Sequence, residues 1–175
     1  MRLYHVDDDY IEYLRQFDSR VYDNKNGTRP YVGVALTVAG TEYYIPMSSP
    51  KPKHDGMKNS IDFMKMADGQ RKMGVLNLNC MVPVYSTVLM LIDIGAESDT
   101  KYRTLLYHQA AWIQSHAQRI QQNAVKLYRI LMQDDGALRA HEHKLRERCC
   151  DLRLLEAKMK ELQESRVTTC QSQLG

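Results

Sequence analysis

The sequence predicts an α+β fold: a small, mostly antiparallel β-sheet with a helix near its start, then two long helices. Three observations predict it. Up to residue 98, short runs rich in β-branched and aromatic residues alternate with Gly, Pro, Asn and Asp, as strands and turns do. From Thr100 that punctuation thins out, and apolar residues recur at helical spacing. A run of strands followed by a run of helices, without βαβ alternation, is the α+β pattern. The expected layout is residues 1–98 as a sheet-containing core and 99–175 as long helices packed on it, a single domain overall; 175 residues suit that size.

Arg2 to Val6 reads as a short strand, and Asp7-Asp8-Asp9 as the acidic N-cap of a helix. Tyr10, Leu14 and Phe17, with Ile11 beside them, give that helix one apolar face, ending near Asp18. Asp23 to Pro30 is a loop. Tyr31–Val38 and Thr41–Ile45 form a hairpin around the tight turn Ala39-Gly40. Further strands are expected around Ser60–Lys65, over Val75–Val82 and over Thr87–Ile92, with a turn at Asp68-Gly69-Gln70. Tyr102, Leu105, Leu106, Ile113, Ala117, Ile120, Ala124, Leu127 and Leu131 predict one long helix from Thr100 to Gln133. Asp134-Asp135-Gly136 breaks it. A second runs from about Ala137 to Ser165, with Leu138, Leu145, Leu152 and Met159 repeating at seven. The tail from Val167 is expected to fray.

Composition narrows the function classes. A hydrophobic content of 43% and a charged content of 26% are those of a soluble globular protein. The net charge of +3 does not by itself call for nucleic acid, so any such surface must be a local patch. Cys80, Cys149, Cys150 and Cys170 lack zinc-type spacing and form no disulfide framework. Without an apolar leader or a run of about 18 apolar residues, the expectation is a cytoplasmic protein with no membrane span. His141-Glu142-His143 reads as a solvated helix face, and no metal or cofactor is expected.

One stretch carries most of the chemistry: Tyr43-Tyr44-Ile45-Pro46-Met47-Ser48-Ser49-Pro50-Lys51-Pro52-Lys53-His54. Its three prolines fix φ and remove amide donors, which argues against a helix or a central strand. Ser48, Ser49, Lys51, Lys53 and His54 fall within seven residues. Ammonium and hydroxyl groups can hold a phosphate, and a histidine can move a proton near neutral pH. A phosphate-handling loop and a solvated basic turn both satisfy this pattern.

Taken with Tyr10-Ile11-Glu12-Tyr13-Leu14, Val32-Gly33-Val34-Ala35-Leu36 and Gly74-Val75-Leu76-Asn77-Leu78-Asn79-Cys80-Met81-Val82-Pro83-Val84, this stretch resembles the ToxN/AbiQ proteins, the toxins of type III toxin–antitoxin systems. The likeness extends with gaps into Lys101-Tyr102-Arg103 and Leu105-Leu106-Tyr107-His108-Gln109, with Met47 standing where the family often has Leu. The resemblance implies a twisted antiparallel sheet flanked by helices. It implies metal-independent cleavage of cellular RNA to 2′,3′-cyclic phosphate and 5′-hydroxyl ends, in phage abortive infection. It also implies a small repeat antitoxin RNA, folded as a pseudoknot, that inhibits the toxin in a ring assembly. Ser48, Ser49 and Lys51 inherit the active-site role, and Tyr10 and Tyr31 positions that line the pocket.

On the chemistry, Lys51 is the expected charge stabiliser and Ser49 positions the phosphate or the 2′-OH. His54 either moves a proton or anchors the loop. Lys53 binds flanking phosphates, and Lys58, Arg71 and Lys72 either extend an RNA groove or are solvated turns. Tyr31 can stack a base, and Tyr10 also fits the core face of its helix. The competing class is a non-catalytic RNA-binding regulator.

Overall fold

This computed structural model describes residues 1–172. The strands are β1 (Arg2–Val6), β2 (Tyr31–Val38), β3 (Thr41–Ser48), β4 (Met64–Asp68), β5 (Arg71–Leu76), β6 (Val82–Val84) and β7 (Leu89–Leu91). The helices are α1 (Asp8–Arg15), α2 (Thr100–Ser115), α3 (Ala117–Leu131), α4 (Ala140–Glu147) and α5 (Leu152–Ser172). The sheet is antiparallel, in the order β4-β5-β3-β2-β1-β7, with β6 also paired to β3. The fold is therefore α+β, as the residue pattern predicts.

Local chemistry explains the first elements. Asp7 caps α1, its Oδ1 accepting from Tyr10 N at 3.0 Å. Tyr10, Ile11 and Leu14 bury the expected face of that helix, but the helix ends at Arg15, and Phe17, expected on the same face, lies beyond it and is 38% exposed. Ala39 and Gly40 both adopt positive φ, +48° and +82°, the type I′ geometry whose twist matches a two-residue hairpin.

β3 departs from expectation. The sequence argues against a central strand through Pro46, yet β3 runs to Ser48 in the middle of the sheet. Its outer edge is shared: β6 pairs with Glu42–Tyr44, and β5 with Met47 and Ser48. Pro46 falls between those partners, where its missing amide hydrogen breaks no ladder bond. Its carbonyl accepts from Asn77 N at 3.1 Å.

Three other strands are displaced. β4 begins at Met64 rather than near Ser60, because Ser60 to Phe63 forms a closed loop through Ser60 N and Phe63 O. The expected strand Val75–Val82 is cut in two, since Asn77 turns back onto Pro46 and a single 3₁₀ turn, Leu78–Cys80, follows. Ser86–Val88 is also a 3₁₀ turn, which shortens the last strand to Leu89–Leu91.

Both long helices are broken. The first divides at His116, whose ring meets Trp112 O at 2.8 Å and stacks on Trp112 at 3.9 Å. The second divides between α4 and α5, so the seven-residue repeat does not run along one helix. There Cys150 N donates to Asn79 O at 2.8 Å and Asp151 N to Asp18 Oδ2 at 2.7 Å. Arg148 grips the buried Asp62 through Nε and Nη2, at 2.6 and 3.1 Å. Burial alone would raise the Asp62 pKa; Arg148 and Ser60 outweigh that and hold it below its usual value. Glu142 is buried rather than solvated, closing α4 by accepting from Arg139 N at 2.9 Å. α5 continues past Val167 to Ser172, and residues 173–175 lie outside the described residues.

The helices cover the sheet. Ile120, Ala124, Leu127 and Leu131 of α3 are buried, and α3 lies against β2. Leu152, Leu155 and Met159 of α5 are buried where it crosses β6 and α1. Tyr43 and Tyr128 both donate to Glu156 of α5, which ties that helix to β3 and α3. Among the described residues, no helix is long and apolar enough to cross a membrane.

Candidate active site

The Ser48–His54 stretch leaves the sheet where β3 ends. Its first residue is held from below. Ser48 Oγ accepts from Arg29 Nη1 at 3.1 Å and from Asn77 Nδ2 at 3.0 Å. Those two donors occupy the acceptor positions of the hydroxyl, so its own hydrogen is left to point outward as a donor. Arg29 is buried, with Nε on Asp23 O (2.6 Å) and Nη1 also on Met47 O (2.9 Å), and its guanidinium lies over the Tyr22 ring at 5.1 Å. Among the described residues Nη2 has no protein partner, so a forked cation stands at the base of the loop with donors to spare. Asn77 is fixed in turn, accepting from Tyr22 OH and donating to Pro46 O.

Ser49, Pro50 and Lys51, which follow Ser48, are exposed. Pro52–His54 is one 3₁₀ turn. His54 N donates to Lys51 O at 2.8 Å, and Lys51 N donates to His54 Nδ1 at 3.1 Å. A ring nitrogen that accepts is unprotonated, so the neutral ring carries its hydrogen on Nε2. Burial, then the neighbouring Lys53 and Lys51, hold the His54 pKa below its ordinary 6.5. His54 thus anchors the loop as a neutral ring set edge-on to Phe63, with centroids 5.5 Å apart.

This makes a pH prediction. A folded pKa below the unfolded one means the anchor is intact above about pH 6.5 and is lost as pH falls through the folded value. Nitrogen-detected NMR of the imidazole is expected to show the Nε2–H form at pH 7 and titration below 6.5. A ring already charged at pH 7 would refute the arrangement.

The structure gathers some of the sequence-predicted residues and not others. Ser48, Ser49, Lys51 and His54 share the loop, with Ser48 and Ser49 on its Arg29 side and His54 on its Lys65 side. Lys53 and Lys58 are exposed on the same loop and its continuation. Arg71 and Lys72, at the start of β5, are exposed too, and Lys72 Nζ pairs with Asp55 at 2.7 Å, which joins the β4–β5 hairpin to the loop. Tyr10 and Tyr31 are not brought to the surface. Tyr10 is fully buried and donates to Pro83 O at 2.7 Å, and Tyr31 is buried where β2 meets Pro46. Burial raises the pKa of both phenols.

Two clefts flank the loop, and Pro50 lines both. One, of about 420 Å³, is bounded by Arg29, Ser48, Ser49, His5, Tyr102 and Gln109 among others. The other, of about 590 Å³, is bounded by His54, Asp55, Lys65 and Lys72. Both lie within the size range of ligand pockets, roughly 300–1,000 Å³, and the first is the one that Ser48 and Arg29 line. Sequence reasoning gives Arg29, Asn77, His5 and Gln109 no role, although Asn77 and Gln109 fall in stretches that carry the family likeness, because they sit in a loop, a turn, a strand and a helix that only the fold brings to Ser48. Only the spacing of Tyr102, Leu105 and Gln109 at i, i+3 and i+7 marks them as one face of α2. Among the described residues, no three His, Cys, Asp or Glu side chains gather as a metal site would need.

The resulting arrangement is a forked cation, two hydroxyls and an exposed ammonium, with no carboxylate among the groups that meet at Ser48. Comparison with known proteins identifies the family. Residues 2–160 match the family described as "Toxin ToxN, type III toxin-antitoxin system". The chain is 32% identical over 166 residues to the Endoribonuclease ToxN of Bacillus thuringiensis subsp. kurstaki, covering 91% of this chain and 82% of that protein. It is 30% identical over 168 residues to the Endoribonuclease AbiQ of Lactococcus lactis subsp. lactis, covering 90% and 87%. A solved structure from work on selective toxin inhibition by a non-coding RNA pseudoknot superposes with a TM-score of 0.85 at 30% identity, covering 93% of this chain and 98% of that one.

Proposed function

The chain belongs to the ToxN family of type III toxin–antitoxin systems, and from that premise we propose that it is an endoribonuclease toxin that cleaves RNA without a metal ion and is restrained by an antitoxin RNA. RNA carries its own nucleophile. The 2′-oxygen attacks the adjacent phosphorus, the P–O5′ bond breaks, and the 5′-oxygen leaves with a proton, giving a 2′,3′-cyclic phosphate and a 5′-hydroxyl. The enzyme has to orient the phosphate, neutralise the charge that builds on it, and let protons move.

The single observation that supports this reading is Ser48 held by Arg29 and Asn77 at the start of the loop that carries Lys51. Arg29 Nη2 and the outward Ser48 hydroxyl offer hydrogen bonds to the non-bridging oxygens. Lys51, exposed three residues further along the loop, supplies the mobile positive charge. Ser49 positions the phosphate or the 2′-OH rather than acting as a covalent nucleophile, because no base adjoins it. Lys53, Lys58, Arg71 and Lys72 hold flanking phosphates. The antitoxin RNA, a folded repeat in a ring with the toxin, occupies this same surface and blocks substrate by covering Lys51.

Incubation of the purified protein with matched RNA and DNA in EDTA tests the reading. RNA is expected to be cut, DNA to be spared, and the products to resist 3′-ligation until the cyclic phosphate is opened. Cleavage that stops in EDTA and returns with Mg²⁺ would overturn the mechanism.

A further inference from the structure

Gln109 is buried, at 6% exposure, on the face of α2 that also carries Tyr102 and Leu105 into the 420 Å³ cavity. Its Nε2 donates to Met73 O at 2.7 Å. A carbonyl oxygen can only accept, so this bond fixes which end of the amide is nitrogen. Oε1 is then a buried acceptor with no hydrogen-bond partner. Native structures leave few such atoms, because an unpaired buried acceptor is costly. Turning the amide over gives no relief, since it would set oxygen against the Met73 carbonyl. His5 Nδ1, in the same cavity, is likewise buried and unpartnered.

The position is close to the loop. A Cβ built on Gly74 would lie 2.7 Å from Ser48 O and 3.5 Å from Gln109 Nε2, so the amide adjoins the end of β3. The half-buried Tyr102, two turns earlier on α2, offers a ring beside the opening. An acceptor of fixed direction, an aromatic ring and a phosphate-binding floor together match a splayed-out nucleobase.

We propose that Gln109 is a specificity residue, its Oε1 accepting a hydrogen bond from the exocyclic amine of a base next to the cleaved bond. The site would then favour an amine-bearing base, adenine, cytosine or guanine, over uracil. This rests on the ribonuclease reading above.

The test uses one RNA that the full-length protein cuts. Each adenosine, cytidine or guanosine near the cut is replaced, one at a time, by the riboside of the same ring without its amine. At one position, kcat/KM of the unsubstituted protein is expected to fall by at least about tenfold. Gln109→Leu is expected to cut both RNAs at the same reduced rate. Equal cutting of every analogue by the unsubstituted protein would overturn the proposal and leave the ribonuclease reading standing. That arm decides the matter even if Gln109→Leu folds poorly. Glu97 also lines the cavity, so amine sensitivity that is lost in Glu97→Gln but kept in Gln109→Leu would also overturn it. A protein that cuts no RNA would bring down both readings together.

Discussion

Alanine at Lys51 is expected to lower RNA cleavage by about a hundredfold to a thousandfold and to leave the melting temperature unchanged. The Lys51 side chain is exposed and, among the described residues, takes part in no ion pair, so its removal costs the fold almost nothing. What it removes is charge that acts when the phosphorane forms, which shows as a loss in kcat rather than in KM. Arg29 supplies the contrast. Its guanidinium holds Asp23 O, Met47 O and Ser48 Oγ from a buried position, so Arg29→Ala is expected to lose activity and stability together. Thermal melting beside cleavage kinetics separates the two. A well-folded, fully active Lys51→Ala protein would remove Lys51 from the mechanism.

Gly33→Ala is expected to be the most damaging single methyl group in the sheet. A Cβ at Gly33 would fall 1.9 Å from Tyr44 Cε1 and 2.2 Å from Cδ1. The Tyr44 ring cannot yield easily: it is buried, stands edge-on to Tyr4 with centroids 5.3 Å apart, and donates to Glu42 at 3.0 Å. Overpacking of a core costs about 1–3 kcal/mol and more where neighbours are fixed, enough to lower the melting temperature by roughly 2–12 °C in a chain of this length. Replacing Tyr44 with alanine in the same protein should recover part of that loss, because the clash is with its ring. A Gly33→Ala protein that melts with the parent would show that the ring has room to move.

Gly33 illustrates what the chain order hides. As one residue of an apolar strand it carries no signal; only the register of β2 on β3 sets it against Tyr44. The same holds for Gln109. Its place seven residues after Tyr102 marks a helix face, but what that face meets depends on Met73 and Ser48, from other parts of the chain.

What the sequence by itself determined is local. Asp7 as an N-cap, the Ala39-Gly40 turn, the buried face of α1 and the motif Ser48–His54 all depend on residues within a few positions of one another, where capping, turn chemistry and periodicity act. The tertiary structure alone decided where the long helices stop and what holds the site. No proline or glycine lies between Arg146 and Leu152. The helix breaks there because Cys150 N bonds Asn79 O and Arg148 reaches Asp62, bonds to distant groups that replace those a continuous helix would make. Pro46 sits inside a central strand because two shorter partners leave a gap at it. Ser48 acquires its donor role only when Arg29 and Asn77, 19 and 29 positions away, converge on one oxygen. Propensity acts over a few residues, whereas a hydrogen bond across the sheet exists only once the strands are in register.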